Sequence, residues 1–363
     1  MLSELEKVTQ LIRPMMKYTF VLYRFPDTTY FTCIAQNDAS TSSFLSLSEI
    51  KGLSGYLIVP FYAECDTPIV VIRPDQVRHI ACPPTTNTID IPLAEEGALA
   101  EWHTAYRQCF QTCSAALKDG AFEKLVLSRR ADYTASRELP LLQLFLTACQ
   151  AYPHQFISLW SSPVTGSWLT ATPEKLLSGT PRMWETMSLA GTMEWNEENA
   201  NPDLHTWSAK DKREQDVVTT YLRNQLENIC TSIHIGRPLP ARAANVVHLR
   251  TNITFSTSSE WTLERLLDRL HPTPAVCGQP RSEALHFLRE TEPHNRRYYA
   301  GFSGPLRMND ESAFYVSLRC MEARGSTIHC YAGGGLLPDS IEENEWNETQ
   351  RKLRTMLNLF NKS

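Results

Sequence analysis

The chain has no cysteine pattern suited to a metal or a disulfide framework. Its ten cysteines are scattered through 363 residues, with no C-x-x-C pair and no zinc-like spacing. Cys109 and Cys113 lie four apart on a helical stretch without a histidine partner, so they read as small buried hydrophobes. No apolar run reaches the roughly 18 residues of a membrane span. Met1 to Pro26 lacks the basic-then-apolar layout of a signal peptide. Positive charge is not in excess either: 35 Lys and Arg against 40 Asp and Glu leave a net charge of −5. That balance argues against a general nucleic-acid binder, but not against an anionic substrate held by a local site. No repeat of fixed period and no low-complexity tract is found. The expectation is a soluble cytoplasmic protein with neither a membrane nor a nucleic-acid partner.

What is present is ordinary for a globular protein: 42% hydrophobic and 21% charged residues, enough for one large domain or two small ones. Tyr18 to Arg24 and Pro68 to Ile72 read as strands. The Pro/Thr-rich stretch from Cys82 to Glu96 is the one linker that composition suggests, and Leu99 to Leu117 looks helical. Lys124 to Arg130 alternates, with Lys124, Val126 and Ser128 on one face. Phe156 to Trp160 and Ser167 to Ala171 form a hairpin through Val164-Thr-Gly166. Phe314 to Met321 and Thr327 to Ala332 form a second, through Arg324-Gly325, and hairpins imply antiparallel sheets.

Two helices carry acidic residues in telling places. Gly333-Gly334-Gly335 closes a strand, and the helix that follows puts Glu345, Glu348 and Lys352 at i, i+3 and i+7, on one stripe. Glycine amides, two carboxylates and an ammonium converging there suit an anion held partly through a divalent cation. Equally, Glu348 and Lys352 are an i, i+4 pair worth about 0.2–0.5 kcal/mol that needs no function. A second helix spans Trp207 to Ile229, capped by Ser208, with Val217, Val218, Tyr221, Leu222, Leu226 and Ile229 as its apolar stripe. Glu214 points with that stripe, so it needs a salt-bridge partner, a proton or a metal.

Several segments together resemble the chorismate-utilising enzymes, the family of isochorismate, salicylate, anthranilate and aminodeoxychorismate synthases. They are Lys124-Leu-Val-Leu-Ser-Arg129, Ala171-Thr-Pro-Glu-Lys-Leu-Leu177, Leu189-Ala-Gly-Thr192 and Lys210-Asp-Lys-Arg-Glu-Gln-Asp-Val-Val218. Further along come His248-Leu, His271-Pro-Thr-Pro-Ala-Val-Cys-Gly278, Tyr299-Ala-Gly301, Tyr331-Ala-Gly-Gly-Gly335 and Glu345-Trp-Asn-Glu-Thr349. Any one match is weak; the ordered set is specific. The resemblance implies an α+β fold, a single large domain of antiparallel sheets packed face to face with outer helices. Residues 1–100 then form an N-terminal part of the same unit without a usable motif, and 101–363 the catalytic region. The Pro/Thr stretch becomes a long connection instead of a domain boundary.

The resemblance also implies roles. Chorismate is a dianion, and its conversion to isochorismate delivers water at C2 and loses hydroxide from C4, which calls for a general base and a general acid. Lys124 is the implied base, and it must be neutral to act; by itself it could equally be a solvated lysine at a strand end. Glu174 is the implied acid, kept protonated by burial, though Pro-Glu also commonly opens a helix. Glu214 and Glu348, with Glu345 nearby, are the implied Mg²⁺ ligands. Arg319 and Lys352 bind the enolpyruvyl carboxylate with the amides of Gly333, Gly334 and Gly335. Thr192, His248 and Tyr299 line the pocket, although His248 could be a satisfied core histidine.

Among the family's activities, Ala190 occupies the place where lysine-nucleophile aminodeoxychorismate synthases carry Lys in Pro-Ile-Lys-Gly-Thr. Its methyl group, beside Gly191, leaves C2 open to an external nucleophile. Lys124 sits where anthranilate synthases lack a lysine base. Both favour water, hence isochorismate synthase first and salicylate synthase second, in menaquinone or siderophore biosynthesis, with no obligate amidotransferase partner. Two departures stand out. Gln215 replaces a common His after Glu214, which questions local orientation. Cys277 falls beside the implied pocket, where it could tune the product and be oxidised.

Overall fold

The computed structural model describes residues 3–95, 97, 99–194, 207–243 and 246–361. The first third begins with α1 (Glu4–Ile12), β1 (Phe20–Arg24), β2 (Tyr30–Ala35), β3 (Ser42–Phe44), β4 (Gly55–Val59), β5 (Ile69–Ile72) and β6 (Gln76–Ala81). It continues through β7 (Leu93–Glu95), α2 (Leu99–Lys118) and β8 (Lys124–Ala135). The middle runs through α3 (Leu141–Ala151), β9 (Phe156–Ser162), β10 (Gly166–Thr172), β11 (Lys175–Thr180), β12 (Met183–Glu194) and α4 (Ala209–Glu227). Next come β13 (Cys230–Ile235), β14 (Leu239–Ala243), β15 (Val246–Thr257), α5 (Leu263–Leu270), β16 (Gly278–Gln279) and α6 (Arg281–Thr291). The chain closes with β17 (Phe302–Leu306), β18 (Ser312–Val316), β19 (Cys320–Arg324), β20 (Thr327–Leu336) and α7 (Glu342–Leu357).

These strands build two antiparallel sheets. One runs β16-β8-β20-β19-β10-β9-β1-β2-β6 with β7 on β8; the other runs β13-β15-β12-β11-β18-β17-β4-β5-β3 with β14 on β15. The N-terminal strands thus complete both sheets. β1 is buried along its whole length because it is covered twice. Val21 and Tyr23 face the space between the sheets, while Phe20 and Leu22 face outward onto a layer that includes Leu144 and Phe145 of α3 and Leu353 and Met356 of α7. Across the interior, Phe156 of β9 stacks on Tyr315 of β18 at 4.1 Å, and Tyr23 meets Tyr56 of β4 at 5.5 Å. The Tyr56 hydroxyl, buried between the layers, is shared with Ser158 and Ser303, one from each sheet. The α+β architecture expected from the resemblance is therefore present, with antiparallel sheets face to face and helices outside.

Of the segments that pass from one sheet to the other, two border the cavity described below. β10 leaves the first sheet, turns at Pro173-Glu174, and becomes β11 of the second. β18 leaves the second, passes Ser317 to Arg319, and becomes β19 of the first. Phe314 to Met321, expected as one strand of a hairpin, is broken instead, with Arg319 at a left-handed φ of 45°. The two crossings run side by side: Val316 N donates to Glu174 O at 2.9 Å, and Ala171 N to Arg319 O at 3.0 Å. Both strands are buried at nearly every position, so the sequence carries no apolar–polar alternation whose phase could reveal the break. The hairpin of β19 and β20 and that of β9 and β10 are as expected.

The Pro/Thr stretch is a pinned connection. Ile89 and Ile91 are buried, Ile89 N donates to Leu359 O at 2.7 Å, and Asn361 N donates to Ile89 O at 3.0 Å. Ser208 caps α4, accepting from Asp211 N, and Val218, Tyr221, Leu222 and Leu226 are buried as the stripe requires. Among the described residues, no helix is long and apolar enough to cross a membrane. All ten cysteines are free.

Candidate active site

A narrow cavity opens where the two crossings meet β8, β12, β15, β20 and the flanks of α4 and α7. Its wall includes Glu174 and Arg319 from the crossings, Ala190 and Gly191 from β12, and His248 from β15. Tyr299, Gly333, Gly335, Glu214 and Lys352 complete the polar and small part of the wall. Residues scattered over more than 200 positions thus converge on one place. The backbone of Thr192 follows Gly191 in β12, but its side chain lies outside the described residues.

Glu174 is buried, and its carboxyl makes no hydrogen bond or ion pair to another described residue. Burial pushes it up to about 7, against the pull of Arg319, Lys124 and Lys352. It is therefore a proton-bearing group near neutral pH whose oxygens face the cavity and no protein partner. The turn that presents it is held by Glu174 N donating to the Thr172 hydroxyl at 3.2 Å.

Lys124 opens β8 with no solvent exposure. Its Nζ lies 2.9 Å from Glu214 Oε1 as an ion pair, and it has no partner with hydrogen-bond geometry. Gly335 makes room for this pair: a β-carbon there would collide with Glu214 Oε1 and stand 3.0 Å from Lys124 Cε. A side chain on Gly333 would in turn press on the Tyr299 hydroxyl at 2.7 Å. Gly333 and Gly335 thus provide clearance, whereas a β-carbon on Gly334 would make only ordinary contact with Glu345 Oε2 at 3.4 Å; Lys352 Nζ donates to Gly333 O at 2.8 Å from the helix side.

His248 lines the wall. Its Nδ1 lies 2.7 Å from Gly191 O, which can only accept, so Nδ1 carries the proton. Nε2 is then the acceptor facing Arg319 Nη2 at 3.2 Å. Burial first, and Arg319 second, push the imidazole down to about 3, so it stays neutral. Gly191 keeps this contact by adopting φ 68°; a β-carbon there would come within 3.0 Å of Asp211 Cβ at the start of α4.

The acidic residues sit just behind the cavity. Glu345 is buried and meets Lys210 Nζ at 2.5 Å, while its Oε2 has no partner. Burial, then neighbouring Glu348, push its carboxyl up. Glu348 meets Lys352 at 2.5 Å; burial works upward on it but the lysine outweighs this and holds it down at about 2. Each of Glu214, Glu345 and Glu348 is thus balanced by one lysine, and among the described residues no three acidic, His or Cys groups gather tightly round one point. The donor chemistry nevertheless suits a hard cation: carboxylates only, with one buried oxygen lacking any partner.

Two sequence readings need correction, and one site residue went unread. Gln215, not Glu214, is the deeply buried residue of that turn; its Nε2 reaches the Ser188 hydroxyl at 2.8 Å and the Thr251 hydroxyl at 3.0 Å, pinning α4 to the sheet. Glu214 lies one helical step round, at the edge of the cavity. Cys277 is fully buried, absent from the cavity wall, and burial pushes its thiol up to about 12, so it is neither a pocket residue nor an easily oxidised one. The wall there is Ala275 and Val276. Lys210 was missed as a site residue, although its place four before Glu214 on the helix is a legible signal.

A family model described as "Chorismate binding enzyme" matches residues 80–361. Isochorismate synthase EntC of Escherichia coli K12 is 28% identical over 281 residues, covering 76% of this chain and 71% of that protein. A salicylate biosynthesis isochorismate synthase of Pseudomonas aeruginosa is 35% identical over 193 residues, 52% of this chain and 40% of that one. In fold, the chain superposes on MenF, the menaquinone-specific isochorismate synthase of Escherichia coli, with a TM-score of 0.81 at 20% identity, over 95% of this chain and 89% of that one.

Proposed function

This chain belongs to the chorismate-binding enzyme family, and on that premise we propose that it converts chorismate to isochorismate. The observation that carries this reading is a buried, unpartnered Glu174 in the cavity wall, with a fully buried Lys124 held just behind that wall by its ion pair to Glu214. Water attacks C2 and yields a proton to the Lys124 amine. The ring double bonds shift, the C4–oxygen bond breaks, and Glu174 gives its proton to the departing hydroxyl, which leaves as water. Lys124 must therefore be in the amine form, which requires Glu214 to release it. Arg319 and Lys352 supply the positive charge for the enolpyruvyl carboxylate. Ala190 presents no amine to compete with water at C2.

Glu214, Glu345 and Glu348 are the residues that would hold Mg²⁺, which would supply positive charge for the ring carboxylate. The relatives named as isochorismate synthases support the reaction, while the cation rests on the residues alone. The test is incubation of the purified protein with chorismate and Mg²⁺, without ammonia, with products identified by chromatography. Isochorismate alone supports the reading. Salicylate with equimolar pyruvate replaces it with a salicylate synthase, and an aminated product formed only with ammonia replaces it with an anthranilate-type activity.

A further inference from the structure

Beside the inner cavity lies an open cleft of about 630 Å³, and the two share Pro173. They also share one face of a strand pair. Leu189 of β12 and His248 of β15 line the cavity; Met187 and Glu185, and Arg250 and Asn252, line the cleft. Those positions are two and four residues along each strand, so they are successive steps of one surface. The ladder agrees, pairing Leu189 with Arg250 and Met187 with Asn252. Arg250 therefore stands roughly 7 Å beyond His248 along the strand.

The charges of the cleft are uneven. Lys175 is tied to Glu185 at 3.0 Å, and His154 to Asp27 at 2.5 Å. Arg250 is half-buried and makes no hydrogen bond or ion pair among the described residues. Arg242, on neighbouring β14, adds a second guanidinium to the same rim. A half-buried guanidinium without a counter-ion is costly to keep unless something negative visits it. The protein as a whole carries −5, which repels a dianion at long range, so capture needs a local positive approach.

We propose that this cleft is the route by which the dianionic substrate reaches the cavity, and that Arg250, seconded by Arg242, steers it there. The inference rests on the chorismate reading above. The access route ends at Pro173, the residue before the general acid, and delivers the substrate carboxylates toward Arg319 and Lys352.

The test compares wild type, Arg250→Gln, Arg250→Lys and the double variant Arg242→Gln/Arg250→Gln at about 20 mM and about 0.5 M ionic strength. At low ionic strength the double variant is expected to lose roughly five- to tenfold in kcat/KM for chorismate, with kcat nearly unchanged. The gap closes at high ionic strength, and Arg250→Lys, which keeps the charge, stays close to wild type. Equal kcat/KM at low ionic strength overturns the proposal. So does a loss that persists in high salt, or one shared by Arg250→Lys, since either marks a packing role. A wild type that leaves chorismate untouched overturns the activity reading and this inference with it; an active wild type with unaffected variants overturns this inference alone.

Discussion

Two sets of buried charges flank the same strand, β8, and they are treated in opposite ways. On one side, Glu292 and Arg296 are each about 3% exposed and fully engaged. Arg296 donates to both carboxylate oxygens of Glu292, to Val276 O at 2.8 Å and to Val126 O at 2.6 Å, and Ser128 N donates to Glu292 at 2.7 Å. On the other side, Lys124 Nζ has an ion pair without a hydrogen bond, Glu345 Oε2 has no partner, and the Glu174 carboxyl faces only the cavity. A satisfied buried pair fixes a structure. An unsatisfied set, kept at a cost within the same few ångströms of sheet, marks where a ligand supplies the missing partners.

The comparison breaks most visibly at Glu174. Glu174→Gln should lower kcat by roughly 10²–10⁴ while the protein stays folded, because a proton donor is lost and no protein partner is orphaned. Two pH effects accompany it. In wild type the acid must carry its proton, so kcat falls as pH rises through about 7. The folded pKa lies above the unfolded carboxyl value, so the associated stability is fully present below the ordinary carboxyl range and is lost as pH rises through about 7. Thermal unfolding of wild type and Glu174→Gln across pH 4 to 8 checks this: the variant should lack that decline. Retained turnover removes Glu174 from the acid role.

The satisfied pair should answer in the other currency. Arg296→Met leaves Glu292 charged, buried and without its partner, and should cost about 3–5 kcal/mol of stability in urea unfolding. Turnover per folded molecule should change far less than in Glu174→Gln. If stability holds and turnover collapses, the division between the two sets is wrong, and Arg296 acts on the cavity through Val126 and Val276.

How much of this was written in the sequence depends on how local each feature is. The stripe of Glu345, Glu348 and Lys352 is legible because a helix repeats within itself, and the structure keeps it. The pair Glu292 and Arg296 has the same i, i+4 spacing, yet nothing in the spacing says that one pair is satisfied deep in the core and the other borders a cavity. The crossings are illegible for a different reason. Arg319 has no side chain that favours a left-handed φ, so the break between β18 and β19 is imposed by the partner crossing at Glu174. Glu214 and Gln215 differ by one step of 100° on a helix, and only the positions of Ser188 and Thr251 decide which one faces the sheet. The resemblance supplied what locality could not, the joint membership of Lys124, Glu174, His248 and Arg319 in one site.

The finest separation is at Glu345, which is buried like the satisfied pair but has an orphan oxygen like the unsatisfied set. Its partner Lys210 is about one-third exposed and can turn to water when released, so Glu345→Gln should change stability by only about 1 kcal/mol or less. Loss of the like-charge contact with Glu348 works in the same favourable direction. Mg²⁺ binding followed by calorimetry, without substrate, should weaken clearly in the variant. The two readouts must then diverge: metal affinity falls and the unfolding midpoint barely moves. A midpoint that drops as far as in Arg296→Met, with an unchanged Mg²⁺ titration, would move Glu345 into the structural set and leave Glu214 and Glu348 as the ligands to test.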